Sequence, residues 1–308
     1  MSDCEANRLN DCRSVLAIRS RLLLLIRRYF HDHGFLEIDT PVRIQYPAPE
    51  PHIEAIESEG QYLRSSPELH MKRLMAAGYD RIFQIGPCFR NGEFGPRHHP
   101  EYTMLEWYRT HADYKDMMDD IRVLFMRMAD EILSGNPFVR DGRHIDIKGN
   151  WKQIAVAHAY EQWAGWNPVT GYDPNRFDLD MSEVIEPRLE EITTPVVLTD
   201  FPVEAAALAR RKGSQPDVAE RWELYIGGIE LANAYSELTD HDEQEARFRA
   251  CNDDRISRGK SAYEPDPEFM AAMKAGMPPS GGVALGIDRL VMLLAGADAL
   301  DEVLPFRK

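Results

Sequence analysis

Two segments that alternate with a period of two, RIFQIGPCFR at 81–90 and YTMLEWYR at 102–109, constrain this chain more than any other feature. Such alternation marks strands with one buried face. In the first segment Phe83, Ile85 and Phe89 fall on one side and Gln84, Gly86, Cys88 and Arg90 on the other. In the second, Tyr102, Met104, Glu106 and Tyr108 share one side, and Thr103, Leu105 and Trp107 the other. A loop with Gly and His joins them, which predicts an antiparallel hairpin with residues 91–100 exposed. The polar side of the first strand ends in a cation, as the floor of a polar pocket would.

Around this hairpin the pattern alternates between helix and strand. Val15, Ile18, Leu22, Leu25, Ile26 and Tyr29 recur at helical spacing between Cys12 and His33, and Gly34 is placed to stop the run. FLEIDTPVRI then reads as an extended segment whose Pro41 suits a sheet margin or a subunit contact. In SSPELHMKRLMAAG, Ser65 or Ser66 can cap a helix, Pro67 fits its first turn, and Glu68 lies at the positive end of its dipole. A helix is expected from Tyr114 to Ile132, and residues 135–200 give weak, mixed signals that read as a variable insertion. VVLTDFP and WELYIGG read as strands, 241–257 and 267–275 as helices, and VALGIDRLVMLLAG as a strand followed by an apolar helix.

Composition narrows the function classes. A chain of 308 residues is long enough for one large domain with an insertion. The apolar run LLLLI is too short to cross a bilayer, and it lacks a cleavage site of the signal-peptide kind. Cysteines 4, 12, 88 and 251 show no metal-ligand spacing, so a cytoplasmic location is expected. A formal charge of −15 works against a large nucleic-acid footprint and suits a cationic substrate or partner.

Several stretches, taken in order, resemble one family. GFLEIDTP looks like motif 1 of the class II aminoacyl-tRNA synthetases, FRNGE with HHPEYTMLEWY like motif 2, and GGVALGIDRL like motif 3. SSPELHMK and IELANAYSEL narrow the resemblance to the lysine branch. It implies an α+β fold: a class II catalytic core with a mainly antiparallel sheet flanked by helices. Residues 1–308 would form this single catalytic domain, interrupted by the insertion at about 135–200, with no anticodon-binding domain. That shape resembles the truncated branch whose members attach β-lysine to a lysine of elongation factor P. The implied partners are therefore elongation factor P and a lysine-like amino acid, with tRNA and membrane set aside and a homodimer expected.

The resemblance also implies roles, each with a plainer alternative. Arg90 could simply pair with Glu93 at a hairpin edge; in motif 2 it contacts the α-phosphate of ATP and the activated carboxyl group. Arg289 could be a solvated first helical turn; in motif 3 it meets the γ-phosphate, and Gly286 lets the backbone approach the nucleotide. Tyr102 could be core, or the aromatic that stacks on adenine, with His99, Asn91 and Leu231 also on the nucleotide side. His98 and His99 lack a third ligand at zinc spacing. Where the motif has Arg-x-Glu, this chain has Gly92, so Glu93 reaches the adenine amino group through a shifted loop or that contact is absent.

Glu230 and Glu237 would share a face on one helix and point oppositely on one straight strand. The family pattern puts Glu230 on a strand beside Mg²⁺ and bends the chain so that Asn233 and Glu237 reach the amino acid, with both carboxylates taken as metal-associated. Glu237 and Tyr108 would take the distal amine, and Ser66, Pro67 and Glu68 the other. Ala284 replaces a glycine usual in lysyl-tRNA synthetases, a difference worth about 1–3 kcal/mol in discrimination. Catalysis would fall to Arg90, Arg289 and Glu230, through positioning and charge stabilisation rather than a nucleophile. An enzyme serving tRNA or a small acceptor, and a non-catalytic sensor of amino acid or ATP, are the alternatives.

Overall fold

The hairpin forms as its alternation predicts. The computed structural model describes residues 3–140, 142–206 and 208–306. Helix α1 (Asp3–Asp11) precedes α2 (Arg13–Asp32), the helix expected between Cys12 and His33. Strands β1 (Leu36–Glu37) and β2 (Arg43–Ile44) flank Pro41, and β4 (Gln61–Leu63) pairs with both β2 and β3 (Ile56–Ser58) in a small sheet. Helix α3 (Glu68–Ala76) leads to the hairpin β5 (Arg81–Phe89) and β6 (Glu101–Thr110), followed by α4 (Tyr114–Glu131). Asp113 and Asp116 form a capping box at the start of α4.

The insertion is less separate than its sequence suggests. It contains the hairpin β7 (Phe138–Arg140) and β8 (Arg143–Ile145), strand β9 (Lys152–Ala155), and helices α5 (Val156–Trp163), α6 (Pro174–Asp180) and α7 (Glu186–Glu190), the last two joined by a π-helical turn. Strand β9 runs parallel to β10 (Val196–Pro202), so the insertion supplies an edge of the main sheet. It also has a core of its own around Tyr160, Phe177, Leu198 and Phe201. Short, mixed segments carry weak periodicity, which is why these elements escape a pattern reading.

The rest of the sheet comes from β11 (Arg211–Lys212), β12 (Gln215–Ile226), β13 (Ile229–Ser236) and β14 (Ser280–Gly286). Between the last two lie α8 (His241–Ser257) and α9 (Pro267–Gly276), and α10 (Ile287–Ala295) follows β14. Among the described residues nine strands form one sheet, in the order β1-β5-β6-β14-β13-β12-β10-β9, with β11 beside β12. All its pairings are antiparallel except β1 with β5 and β9 with β10. IELANAYSEL is thus strand, not helix, despite its helix-forming composition.

One face of this sheet is core. Phe83, Leu105, Trp107, Val283, Leu285, Ala232, Ala234, Leu224 and Trp222 pack there with α2, α4 and α10. The other face carries the polar residues of the same strands, because side chains alternate. Among the described residues no helix is long and apolar enough to cross a membrane. Cys12, Cys88 and Cys251 are free thiols; the side chain of Cys4 lies outside the described residues.

Candidate active site

Register lines up the polar face in rows. One row crosses five strands as Gln84, Glu106, Ala284, Asn233 and Glu223. The row beside it reads Ile82, Tyr108, Gly282, Tyr235 and Arg221. The centre of the face is built from small residues, Gly282, Ala284 and Gly286 of β14, while the flanking strands raise carboxylates and aromatics on either side. A Cβ on Gly282 would lie 2.3 Å from the Tyr108 ring and 2.4 Å from Glu237 Oε1, so only glycine lets those two side chains approach the floor.

An open cleft occupies one end of this face. Its lining includes Arg90, Glu93, His98, His99, Tyr102, Glu230, Leu231, Asn233, Ala284, Gly286 and Arg289. The Arg90 guanidinium sits 5.2 Å from the centre of the Tyr102 ring, and its Nε is buried without a hydrogen-bond partner. Glu93 lies 3.5 Å from Arg90. Gly92 takes φ +78°, a left-handed turn that brings Glu93 rather than residue 92 to the cleft. Asn91 faces a different groove, beside Glu54 and Tyr263.

Arg289 is held from three sides. Its Nε donates to the Arg97 carbonyl at 3.1 Å, its Nη1 to the Glu230 carbonyl at 2.8 Å and carboxylate at 3.2 Å, and its Nη2 meets His98 Nε2 at 2.8 Å. Burial and the Arg289 charge both hold His98 below the usual histidine pKa, so it is neutral and can accept from the guanidinium. Behind the cleft Arg19 of α2 contacts Asp288 at 2.5 Å and Thr103 at 2.7 Å, and Asp288 accepts from the Thr103 N–H. This brace ties α2, β6 and α10 together, and no sequence pattern announced Arg19.

Glu230 faces the cleft because β13 carries a bulge. Tyr225 pairs with Glu230 and Leu224 with Ala232, leaving Leu231 as the extra residue. The bulge reverses the alternation, so that Glu230 joins the face of Asn233 and Tyr235. Asn233 accepts from Arg221 at 3.2 Å and donates to Tyr235 at 2.8 Å.

At the other end the face is roofed by α3, and the polar side chains beneath the helix form a closed pocket filled by the protein's own groups. Glu106, 1% exposed, accepts from Ser66 Oγ at 2.6 Å and from Tyr108 OH at 2.9 Å. Burial, with Glu68 adding to it, pushes Glu106 up to about 7. Ser66 also accepts from the Glu68 N–H at 2.9 Å, which fixes the start of α3. Glu237 is 1% exposed and lies 2.6 Å from Lys72, which also contacts Glu68 at 2.5 Å. Burial, against the pull of Lys72, holds Glu237 above the usual carboxylate range. Gln84, 1% exposed, has neither amide atom hydrogen-bonded, an orphan polar group next to Glu106 in the sheet.

Comparison with known proteins decides the family. The family of class II tRNA synthetases (D, K and N) matches residues 4–308. The chain belongs to that family. The elongation factor P–(R)-β-lysine ligase of Hamiltonella defensa is 38% identical over 95% of this chain and 94% of its own length. The lysine–tRNA ligases of Bacillus subtilis and Carboxydothermus hydrogenoformans are each 35% identical over 96% of this chain. The chain spans only 64% and 65% of their respective lengths.

The expected site residues of this class II synthetase divide between the two ends. Arg90, Glu93, His99, Tyr102, Glu230, Leu231, Asn233, Ala284, Gly286 and Arg289 line the open cleft. Ser66, Glu68, Tyr108 and Glu237 surround the closed pocket, with Pro67 as the N-cap of α3. One expectation needs correction. Glu230 and Glu237 cannot share an ion, since about seven residues of extended chain separate them by roughly 20 Å. Tyr108 donates to Glu106, and its ring and Glu237 both lie over Gly282. The carboxylate that does lie near Glu230 is Glu223: burial raises its pKa against the pull of Arg221, and the Glu230 charge adds to the rise. Burial also pushes Glu186 of α7 up to about 7, with Glu230 and Glu223 contributing. Glu223 and Glu186 thus both feel the charge of Glu230. Among the described residues no three His, Cys, Asp or Glu groups already converge as a metal site.

Proposed function

We propose that this class II synthetase activates a lysine-like amino acid, (R)-β-lysine in our reading, and transfers it to a lysine of elongation factor P. The observation that carries the proposal is the continuity of one sheet face from a cleft with two arginines to a pocket with three carboxylates. The cleft suits ATP, with Arg90 at the α-phosphate and Arg289 at the γ-phosphate. Tyr102 and His99 lie on the adenine side. The pocket suits a substrate with two amines, since Glu68, Glu106 and Glu237 are the acceptors such a dication needs once it leaves water.

A substrate carboxylate oxygen attacks the α-phosphorus, the bond to the bridging oxygen breaks, and pyrophosphate leaves. The ε-amine of the acceptor lysine then attacks the acyl carbon, AMP departs with the oxygen, and one proton is lost to solvent or phosphate. Glu230 would hold Mg²⁺, which when bound neutralises phosphate charge. Arg90 stabilises charge at the reacting phosphate, while Gly282 and Ala284 set the depth of the floor. The likeness to the β-lysine ligase over 94% of its length supports this acceptor. The lysine–tRNA ligase likeness favours tRNA as a second reading, against which the charge of −15 weighs. A homodimer would cover the β1 edge, where Leu36 and Val42 are exposed.

Amino-acid-dependent ATP–pyrophosphate exchange tests the first step: lysine isomers should support it and norleucine should not, and equal rates with norleucine would reject the dibasic pocket. The same assay has a predicted pH dependence. Glu106, at about 7, must be ionised to accept an ammonium group. The KM for the amino acid should therefore rise up to about tenfold per unit as pH falls below 7, while the KM for ATP stays nearly level. A flat amino-acid profile from pH 5.5 to 8 would remove Glu106 from binding.

A further inference from the structure

The closed pocket already contains a cation of the protein's own. Lys72 lies one turn after Glu68 on α3, is 1% exposed, and reaches Glu68 Oε1 at 2.5 Å and Glu237 Oε2 at 2.6 Å. Both distances end on one nitrogen, so the two oxygens are at most 5.1 Å apart, the sum of 2.5 and 2.6. The carboxylates come from different elements, α3 and the chain leaving β13. Glu106 and Tyr108 of β6 face the same space, and Glu50 adds its charge near Glu68. From α9 and its N-cap, Glu268 and Asp266 face α3, but Arg73 engages them.

A buried lysine is costly unless its charge is matched. A single carboxylate would match it, yet Lys72 is given two, in a pocket that holds a third. Three negative groups against one positive leave a formal charge of minus two. That is the complement of an amino acid with two ammonium groups whose carboxylate has been masked as an acyl phosphate. Without the lysine, two carboxylates this close would keep a proton between them at neutral pH, as like charges in one site do. The shared proton would remove an acceptor that the substrate needs.

We infer that Lys72 is a positioning and specificity-determining residue: it aligns Glu68 and Glu237 and opposes the protonation that burial favours, and it sets the pocket's charge to select a dibasic amino acid. The inference deepens the function proposed above and rests on it for the kind of guest. Lys72 donates nothing to the reacting atoms; it acts through the two carboxylates.

Calorimetric binding of L-lysine and (R)-β-lysine to the full chain, from pH 6 to 9, tests this without requiring turnover. In Lys72→Met the dissociation constant of the preferred isomer should rise at least tenfold at pH 7. The loss should shrink toward pH 9 as the shared proton leaves, and ATP affinity should be unchanged. In Lys72→Ala, millimolar ethylamine should restore lysine binding by filling the vacated position. Affinity within threefold of wild type with an unchanged pH profile would overturn the inference, as would a loss equal at every pH that ethylamine does not reverse. Should both variants fail to fold, Lys72→Arg serves: its retained charge predicts the wild-type pH profile, and a displaced profile overturns the assignment. Wild-type protein that binds lysine yet supports no pyrophosphate exchange would reject the proposed reaction while leaving the role of Lys72 standing; failure to bind either isomer would reject both.

Discussion

Replacing Arg289 with alanine is expected to cut amino-acid-dependent ATP–pyrophosphate exchange by about a hundred- to a thousandfold, the usual cost of one preorganised charge-stabilising donor. The reason is local. Arg97, Glu230 and His98 each hold a different nitrogen of Arg289, so its fork is fixed before nucleotide arrives. Arg90→Ala should lose at least as much, because its buried Nε has no protein partner and its remaining neighbours are Tyr102 and Glu93. Both variants should keep their secondary structure and melt within a few degrees of wild type, since neither side chain belongs to the core under the sheet. Exchange within threefold of wild type in either folded variant would take that arginine out of the reaction.

The second large effect is expected from one methyl group. In Gly282→Ala the new Cβ would meet the Tyr108 ring at 2.3 Å and Glu237 at 2.4 Å, and both side chains are buried. Neither can retreat, because Tyr108 is bonded to Glu106 and Glu237 is paired with Lys72. Overpacking of this kind costs about 1–3 kcal/mol of stability. Displacing Glu237 should cost the amino acid a further ~2–5 kcal/mol, a rise in KM of roughly thirtyfold or more. ATP affinity should change little, since the nucleotide cleft lies toward Gly286. Thermal melts and exchange kinetics read the two effects separately. An unaltered amino-acid KM would show that the closed pocket is not where the amine binds.

Much of this was legible in the sequence, and the limits of legibility are physical. The β5–β6 hairpin could be read because one face is continuously apolar and the other is not. Ala284 and Gly286 were found through the resemblance, and the register then set them on the floor between Glu106 and Asn233. IELANAYSEL could not be resolved locally: its residues favour helix, and only pairing with β12 and β14, distant in sequence, makes it a strand. The bulge at Leu231, which turns Glu230 into the cleft, has no sequence signature at all. Lys72 reads as an ordinary helical partner of Glu68 four residues away, and only the fold brings Glu237 to it. A signal did exist for the missed carboxylates. Glu106 and Glu223 each stand alone among apolar residues inside a strand, as LEW and WEL, where an unpaired charge would be costly.

The acceptor remains the most direct point of test. Wild-type protein should be incubated with ATP, Mg²⁺ and either (R)-β-lysine or L-lysine, together with elongation factor P or tRNA-Lys, and the products followed by intact-mass analysis and by aminoacylation. Elongation factor P is predicted to gain the mass of one lysyl group, only when ATP is present and only while its acceptor lysine is intact, with tRNA-Lys left largely uncharged. Efficient charging of tRNA-Lys with no mass gain on elongation factor P for either isomer would contradict the proposed function.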